Sequence, residues 1–382
     1  MKRLFTAVIS IFLLFANLTA SAAPIVLPQL PPPQLAARAW LLLDYNSGQI
    51  LAQQNPDERI QPASLTKLMT AYLTFTALAQ KQLTLTQVIP VSEHAWRAEG
   101  SRMFIQPGKP VTVDELIHGM IIQSGNDATT ALAEAIGGSE PQFVQMMNLQ
   151  AAKLGMTNTH FMDATGLPNP QHYTTVRDLS KLAAALVHDY PQYFPLYSIK
   201  EYRYNNITQA NRNRLLWQDP YVDGMKTGHT EAAGFCQVTS AIRNGHRLIG
   251  VVVGTDTDSA RTVESHKLIN YGFEAFDAGK LYSAGQTVTE LPVWKGSANK
   301  LKAGFNQDIF VSVPKGQLSQ IKVQMITKQP LLAPISKNQP VGQVNLLLGG
   351  KVIAQRPLVA LEDVSVAGIF GRAIDTVRLW FK

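Results

Sequence analysis

The chain has 382 residues, of which 46% are hydrophobic and 16% charged, so it can bury large cores, and its length predicts two or three domains. Its formal net charge is +7, and no run of Lys and Arg interleaved with aromatic residues occurs, which argues against nucleic-acid binding. The single cysteine, Cys236, excludes an internal disulfide and a cysteine-rich metal site, and we expect it to be a buried apolar residue of a strand.

Residues 1–23 have the pattern of a secretory signal peptide. Two basic residues, Lys2 and Arg3, precede an apolar run at residues 4–18, and small residues follow at 20–23. The apolar run is shorter than the ~20 residues that a membrane span needs. We therefore expect cleavage and export, with an uncleaved anchor as the alternative.

Residues 24–278 predict an α+β domain. Buried-strand patterns occur near both ends of this region, and the part between a helix starting at Ser64 and His188 is largely helical. Strands around a mostly helical middle indicate one antiparallel sheet flanked by helices. The Asn244–Gly245 pair predicts a type I′ hairpin between the last two strands. The strand-like segments are 40–44, 49–53, 221–227, 235–242 and 248–253, and a helix is predicted at 261–276.

Residues 279–360 alternate apolar and polar positions, which predicts a small all-β domain with a hairpin at Gly349–Gly350. Its simplest role is that of a spacer or pedestal. Residues 361–382 predict an amphipathic helix with Trp and Phe on one side and mostly basic residues on the other. Such a helix is typical of segments that lie in the plane of a membrane interface. Docking of the helix on the protein's own β domain is the alternative.

Three short strings occur in the order Ser64-Leu-Thr-Lys67, Ser124-Gly-Asn126 and Lys226-Thr-Gly228. Together they match the signature of active-site serine enzymes that interact with penicillin. One string alone is a weak signal, since Ser297-Ala-Asn-Lys300 also satisfies the first pattern but lies in a polar segment without helical periodicity. The interpretation therefore depends on the order of all three strings.

In the first string, Ser64 is the predicted nucleophile and Lys67, one helical turn later, is the predicted base. An amine can take the hydroxyl proton only if its pKa is lowered, and burial, the helix dipole and the charge of Lys226 are candidate causes. The Ser64 backbone N–H is one predicted donor of an oxyanion hole. In the second string, Ser124 could shuttle a proton to the leaving group, and Asn126 could hold a substrate carbonyl.

In the third string, Lys226 and Thr227 are candidates for binding a carboxylate, while Gly228 leaves room for a substrate backbone to add as a strand. The backbone N–H of His229 is the predicted second oxyanion donor. Arg261, near the start of the last helix of the domain, could hold a terminal carboxylate with its guanidinium group.

The residues around these strings resemble the low-molecular-mass penicillin-binding proteins that act as serine D-alanyl-D-alanine carboxypeptidases, most closely the penicillin-binding protein 5 and 6 type. The matching segments are 62–70, 123–128, 211–217 and 223–229, and the similarity covers essentially the whole chain. The resemblance implies a serine β-lactamase/DD-peptidase-like domain and supports the site residues named above. It implies that the penultimate D-Ala carbonyl of a peptidoglycan pentapeptide acylates Ser64, that the last D-Ala leaves, and that water then hydrolyses the acyl-enzyme.

The same resemblance implies covalent inhibition by β-lactam antibiotics and no metal or organic cofactor. Combined with the export signal and the terminal helix, it implies a peripheral protein at the periplasmic face of the bacterial cytoplasmic membrane. A part in cell-wall biogenesis and cell shape follows from that substrate and location.

Three other functions stay open as alternatives. A serine β-lactamase of the same fold would need a glutamate that activates water, and Glu201 with Asn205 has the mutual spacing but lies too far past Asn126 and too close to Lys226. A DD-endopeptidase that cuts cross-links is poorly separated from a carboxypeptidase by sequence. An inactive cell-wall scaffold is disfavoured because the nucleophile, the base and the anion site are all present.

Overall fold

The computed structural model describes residues 30–380, so the predicted signal peptide at residues 1–23 lies outside the described residues. The chain first forms a sheet flanked by helices, then a unit of strands that begins at Phe276, and then a helix. This architecture confirms the predicted α+β class with a following all-β unit and a terminal helix. The predicted domain boundary after residue 278 falls within the first strand of the second unit.

The first unit alternates short strands with helices, and short 3₁₀ turns occupy residues 63–66 and 194–198. In chain order its elements are β1 (Ala39–Asp44), β2 (Ile50–Gln54), α1 (Lys67–Ala79), β3 (Val88–Ile89), α2 (Glu93–Trp96), β4 (Val111–Thr112), α3 (Val113–Ile122), α4 (Asn126–Gly137), α5 (Glu140–Lys153), α6 (Val176–Asp189), β5 (Glu201–Tyr204), β6 (Ile207–Ala210), α7 (Leu215–Gln218), β7 (Val222–Thr230), β8 (Gly234–Arg243), β9 (His246–Thr255) and α8 (Asp258–Ala275).

The central sheet is antiparallel, with the strand order β2-β1-β9-β8-β7. Strand β7 therefore forms one edge. Asn244 and Gly245, between β8 and β9, have φ values of 51° and 78°, which agrees with the predicted type I′ turn. Short hairpin-like pairs, β3 with β4 and β5 with β6, lie outside the central sheet.

Strand β1 is buried on both faces, which explains its unbroken apolar sequence. Leu41 packs in a cluster with Leu68 of α1, whereas Leu42 packs in a cluster with Leu268 of α8. Because neighbouring side chains of a strand point to opposite faces, these clusters lie on the two sides of the sheet. The sheet is thus the middle layer between two groups of helices.

The second unit forms its own apolar core, to which Leu301, Val311 and Val344 contribute fully buried side chains. Its strands are β10 (Phe276–Tyr282), β11 (Thr287–Trp294), β12 (Lys300–Gly304), β13 (Ile309–Pro314), β14 (Lys322–Thr327), β15 (Leu331–Leu332), β16 (Pro340–Leu348) and β17 (Lys351–Ala360). Strand β10 pairs with β13, and the larger sheet has the order β14-β16-β17-β12-β11-β15. Val323 is 43% exposed although it is an apolar position of the alternating pattern, and it lies on β14, an edge strand of the larger sheet.

The last described element is α9 (Ile369–Trp380), which follows the β unit. Its apolar residues Ile369 and Phe370 are 74% and 87% exposed, and Ile374 is exposed as well. On another side of the helix, the Asp375 carboxylate accepts a hydrogen bond from the Lys295 backbone N–H at 2.6 Å. Within residues 30–380, no helix is both long and apolar enough to cross a membrane.

The two units meet at the carboxylate of Asp44, the last residue of β1. This buried group accepts hydrogen bonds from the Ser47 N–H at 2.6 Å and from the Ser312 hydroxyl of β13 at 2.8 Å, and it contacts His246 Nε2. The Gln49 side chain adds two bonds to the Ser312 backbone, at 2.8 and 3.2 Å. Burial raises the pKa of Asp44, but the bonds from His246, Ser47 and Ser312 outweigh it, and the pKa is lowered overall.

Replacing Asp44 by Asn should lower the melting temperature at pH 7. Loss of these charge-assisted bonds costs about 2 kcal/mol, which corresponds to a drop of roughly 4–8 °C in a protein of this size. The contribution of a carboxylate with a depressed pKa is present above about pH 4 and is lost as the pH falls through the folded pKa. Calorimetry should therefore show the difference from wild type shrinking at pH 3.

The matched control is Asp308→Asn, because the Asp308 side chain is 41% exposed and lies within the second unit. We expect this change to shift the melting temperature little. An equal loss in both variants, or none in Asp44→Asn, would contradict the role assigned to Asp44.

Candidate active site

A cavity of about 670 Å³ opens between the helices and the edge strand β7. The predicted residues Ser64, Ser124, Thr227, Gly228, His229 and Arg261 line it. Lys67, Asn126 and Lys226 are buried and are hydrogen-bonded to this lining or to each other. The structure therefore brings all the residues predicted from the three strings to one place.

Ser64 lies in the 3₁₀ turn that leads into α1, and Lys67 is the first residue of α1. This turn places Lys67 Nζ 3.0 Å from Ser64 Oγ, which confirms the predicted contact across one helical turn. The preceding residue, Ala63, has a φ of 47°, in the left-handed region that non-glycine residues seldom adopt. The start of the helix is thus locally strained at the nucleophile.

The Lys67 amine has two further acceptors, Asn126 Oδ1 at 2.6 Å and the Thr165 carbonyl at 2.7 Å. A neutral amine has two N–H groups and one lone pair. If these acceptors take both N–H groups, the lone pair points at Ser64 and can accept the proton of its hydroxyl group. The geometry therefore suits a lysine that acts as a base.

The Lys67 side chain is only 1% exposed, and its pKa is lowered from 10.5 to about 7. Burial is the main cause, since it disfavours the charged ammonium, and the positive charge of Arg212 lowers the pKa further. The negative charges of Asp163 and Asp127 act in the opposite direction. Burial agrees with the sequence-based expectation, whereas the charges that act most on Lys67 are those of Asp163, Arg212 and Asp127 rather than the predicted charge of Lys226.

Ser124 lies between α3 and α4 and has a φ of 68°, another left-handed non-glycine residue. Its hydroxyl accepts a hydrogen bond from Lys226 Nζ at 2.9 Å, and Lys226 also donates to the Thr227 carbonyl at 2.8 Å. Burial, followed by the charges of Lys67, Arg212 and Arg261, lowers the pKa of Lys226 well below its ordinary value. Ser124 is thus in direct contact with one amine, that of Lys226, with which it can exchange a proton.

A loop at residues 99–105 fixes the start of α4. The Asp127 carboxylate accepts hydrogen bonds from the backbone N–H groups of Met103 and Phe104, at 2.9 and 2.8 Å. Asn126 Nδ2 donates to the Glu99 carbonyl at 2.5 Å while its oxygen accepts from Lys67. One amide hydrogen of Asn126 therefore remains for a substrate carbonyl.

The third string lies on strand β7, beside the cavity. Because β7 is an edge strand of the central sheet, a substrate backbone can add to it as predicted. A Cβ at Gly228 would lie 3.0 Å from the Ser64 backbone nitrogen, so glycine is needed here to keep space beside that N–H. The next residue, His229, is exposed, and its ring stacks on Phe235 with the ring centroids 3.9 Å apart. The two predicted oxyanion donors thus belong to neighbouring backbone segments.

Arg261, in the first turn of α8, is buried and donates to the Asp258 carboxylate and to the Arg212 carbonyl, the latter at 3.5 Å. Asp258 also forms an ion pair with Arg214 at 2.8 Å. The side chain of Arg212 donates to the Gln123 carbonyl at 3.1 Å and lines the cavity. Arg212 belongs to the matching segment 211–217, which was the available sequence signal for it.

Glu201, considered above as a lactamase-type residue, is exposed on β5 and does not line this cavity. Cys236 is buried in β8, as predicted.

Comparison with known proteins gives a consistent result. A family model described as "D-alanyl-D-alanine carboxypeptidase" matches residues 27–257, and one described as "Penicillin-binding protein 5, C-terminal domain" matches residues 276–366. D-alanyl-D-alanine carboxypeptidase DacC of Escherichia coli strain K12 is 43% identical over 357 residues, covering 91% of this chain and 89% of that protein. DacA of Haemophilus influenzae is also 43% identical, covering 92% and 91%.

Solved structures show the same likeness. Penicillin binding protein 5 from Haemophilus influenzae superposes with a TM-score of 0.85 at 42% identity, covering 88% of this chain and 99% of that chain. The ampicillin-bound form of Penicillin-Binding Protein D2 from Listeria monocytogenes has a TM-score of 0.59 at 30% identity, covering 64% and 100%. With a family match over residues 27–257 and 43% identity to a carboxypeptidase across 91% of its length, the chain belongs to the D-alanyl-D-alanine carboxypeptidase family.

Proposed function

We propose that this chain removes the terminal D-alanine from peptidoglycan pentapeptides through an acyl-enzyme on Ser64. The observation that carries the proposal is the buried Lys67 amine, 3.0 Å from Ser64 Oγ, with a pKa lowered to about 7. A base with a pKa near the working pH is efficient because much of it is unprotonated while it still binds a proton well.

In the proposed acylation, Ser64 Oγ attacks the carbonyl carbon of the penultimate D-Ala while its proton moves to Lys67 Nζ. The N–H groups of Ser64 and His229 stabilise the negative oxygen of the tetrahedral intermediate. The C–N bond then breaks, and the proton held by Lys67 passes through the Ser124 hydroxyl to the leaving D-alanine amine, so Lys67 is neutral again. Lys226, which donates to the Ser124 hydroxyl at 2.9 Å, orients that hydroxyl.

The substrate would add along the free edge of β7, with one of its carbonyls on the remaining Asn126 amide hydrogen. Its terminal carboxylate would bind Thr227, Lys226 and Arg261, displacing the Asp258 carboxylate that Arg261 now contacts. Water then attacks the ester carbonyl while its proton moves to the neutral Lys67 amine, and Ser64 takes that proton back as the acyl group leaves. Each step uses only groups of this chain, and a β-lactam would acylate Ser64 by the same route.

We further propose that residues 24–278 are the catalytic domain, that residues 279–360 form an all-β domain, and that residues 361–382 attach the protein to a membrane surface after residues 1–23 have directed export. Support for attachment comes from the exposed Ile369 and Phe370 of α9, because a helix docked on its own protein would bury such residues. The proposed location is the periplasmic face of the bacterial cytoplasmic membrane.

Replacing Ser64 by Ala should abolish both labelling by a fluorescent penicillin and release of D-alanine from a synthetic pentapeptide ending in D-Ala-D-Ala, since the Ser64 hydroxyl forms the ester in the proposed reaction. Gel fluorescence and an assay of free D-alanine measure the two losses. Ser297→Ala is the control, because Ser297 belongs to the other S-x-x-K string, and this variant should keep both activities. Labelling of Ser64→Ala would overturn the assignment, and cleavage of cross-links without release of terminal D-alanine would point to an endopeptidase.

The rate of acylation by penicillin should rise with pH and level off above about 7, because only the neutral Lys67 amine can take the Ser64 proton and its pKa is about 7. Stopped-flow measurement of acylation from pH 5 to 9 gives the apparent pKa. Arg212→Gln should move the rising part of this pH profile to higher pH, since the positive charge of Arg212 lowers the pKa of Lys67. A rate that is independent of pH in this range would refute a lysine base.

Truncation after residue 368 should give an active enzyme that no longer sediments with vesicles of anionic lipid. The cut leaves the β unit intact because Val364, which pairs with Ile335, is retained. A full-length variant in which Phe370 and Ile374 are replaced by Asn should lose sedimentation as well, since their apolar surface drives insertion. Sedimentation of the truncated protein at the full-length level would contradict attachment through α9.

A further inference from the structure

A turn at residues 163–167 presents the Thr165 carbonyl to the Lys67 amine. One oxygen of the Asp163 carboxylate accepts hydrogen bonds from the N–H groups of Thr165 and Gly166, at 2.7 and 2.6 Å, and from the Thr165 hydroxyl at 2.8 Å. These bonds form an Asx-type turn, which fixes the peptide planes that follow the aspartate. The direction of the Thr165 carbonyl is therefore set by Asp163.

The second oxygen of Asp163 is linked to the residue before α1 through the buried imidazole of His172. It lies 3.2 Å from His172 Nδ1, and His172 Nε2 lies 3.0 Å from Thr66 Oγ1, the residue directly before Lys67. A carboxylate can only accept, so Nδ1 carries the hydrogen and Nε2 can accept the Thr66 hydroxyl proton. His172 is 1% exposed and packs edge-on to Phe161, so the ring has a fixed orientation.

The turn also packs tightly on the chain around Ser64. Gly166 has a φ of 92°, and a Cβ there would lie 1.8 Å from the Ala63 carbonyl oxygen. The Thr70 hydroxyl of α1 donates to the Ala164 carbonyl at 2.7 Å. With the Thr66–His172 link, these contacts hold the turn against residues 63–70 at three points.

We propose that Asp163 and His172 are positioning residues for Lys67: the Asp163 turn holds the Thr165 carbonyl on the amine, and the Asp163–His172–Thr66 chain holds that turn on the start of α1. The proposal rests on the proposed role of Lys67 as the base. With Thr165 taking one N–H, the amine lone pair is directed at Ser64 Oγ. Asp163 itself exchanges no proton.

The charge of Asp163 has a separate effect on the same amine. Burial raises the pKa of Asp163, but the bonds from His172, Gly166 and Thr165 outweigh it, so the group stays ionised near neutral pH. The other charged or titratable groups near Lys67 and this turn include Asp127 of α4, Arg212 before α7, Lys226 of β7, His172, and Glu140 of α5, which accepts a hydrogen bond from the Ala164 N–H at 3.0 Å. Among these charges, that of Asp163 has the largest effect on the pKa of Lys67, and it raises that pKa.

Replacing Asp163 by Asn removes the charge and keeps the turn, because an amide oxygen can still accept the turn's N–H bonds. The new amide NH2 group faces His172 Nδ1, so the imidazole must take the other tautomer, in which Nδ1 accepts and Nε2 donates to the Thr66 hydroxyl. Removal of the negative charge should move the acid limb of the acylation profile to lower pH by roughly 0.5–1 unit. Thr66→Val breaks the His172 link but keeps the charge and the side-chain shape. It should lower the plateau rate about tenfold and leave the limb in place. Stopped-flow acylation by penicillin from pH 5 to 9 measures both effects.

The matched control is Asp178→Asn. Asp178 is also buried and accepts a backbone hydrogen bond, from Asn158 at 2.8 Å, but it has no bond to the turn. Its pH profile should match that of wild type. A shift as large as that of Asp163→Asn would show that the effect is not specific to this turn and would overturn the proposal.

The Lys67→Ala variant distinguishes a failure of the base assignment from a failure of the positioning role. If this variant is acylated at the wild-type rate, the base assignment fails and the positioning role fails with it. If it is inert while Asp163→Asn and Thr66→Val both give the wild-type profile, only the positioning role is overturned. Circular dichroism checks folding, and if Asp163→Asn does not fold, a wild-type plateau in Thr66→Val is enough to overturn the proposal.

Discussion

The chemistry of this protein depends on one buried amine whose three neighbours determine where its lone pair points. Lys67 Nζ lies within hydrogen-bond distance of Ser64, Asn126 and the Thr165 carbonyl. Two of these partners can only accept, so they take the N–H groups of the neutral amine and leave Ser64 to donate. They come from α4 and from a loop about a hundred residues away in sequence, so the base exists only when the helical layer is fully assembled.

Such an amine destabilises the fold in which it acts. Lowering the pKa of Lys67 from 10.5 to about 7 corresponds to a loss on the order of 5 kcal/mol of folding free energy below pH 7, and the loss fades as the pH approaches 10.5. The left-handed backbone at Ala63 and Ser124 adds strain at the same site. These terms are comparable to the net stability of a typical domain. The sheet, buried on both faces between helical layers, supplies the apolar packing that offsets them.

The sequence predicted the fold class and the contact between Ser64 and Lys67 because both follow from local patterns. Alternation and helical spacing define which faces are buried, and one helical turn joins the two reactive groups. Asp163, His172 and Arg212 could not be foreseen in this way, since they act from loops, where no periodicity fixes which side chains meet. Gly228 could be predicted only in part. Its lack of a side chain was apparent from the sequence. Its nearest neighbour, the Ser64 backbone nitrogen, is brought close only when β7 packs on the 3₁₀ turn.

The charges of the site are divided between its two sides, and this division links substrate binding to reactivity. Arg212 and Arg261 line the cavity in which the terminal carboxylate is proposed to bind, and Lys226 is buried beside it, whereas Asp163 and Asp127 do not line this cavity and raise the pKa of Lys67. With the carboxylate absent, burial and the positive charge of Arg212 lower the pKa of Lys67. In the proposed binding mode, an arriving carboxylate would offset the charge of Arg212 and raise the affinity of the Lys67 amine for a proton. The base would then be stronger with substrate bound, when the Ser64 proton has to move.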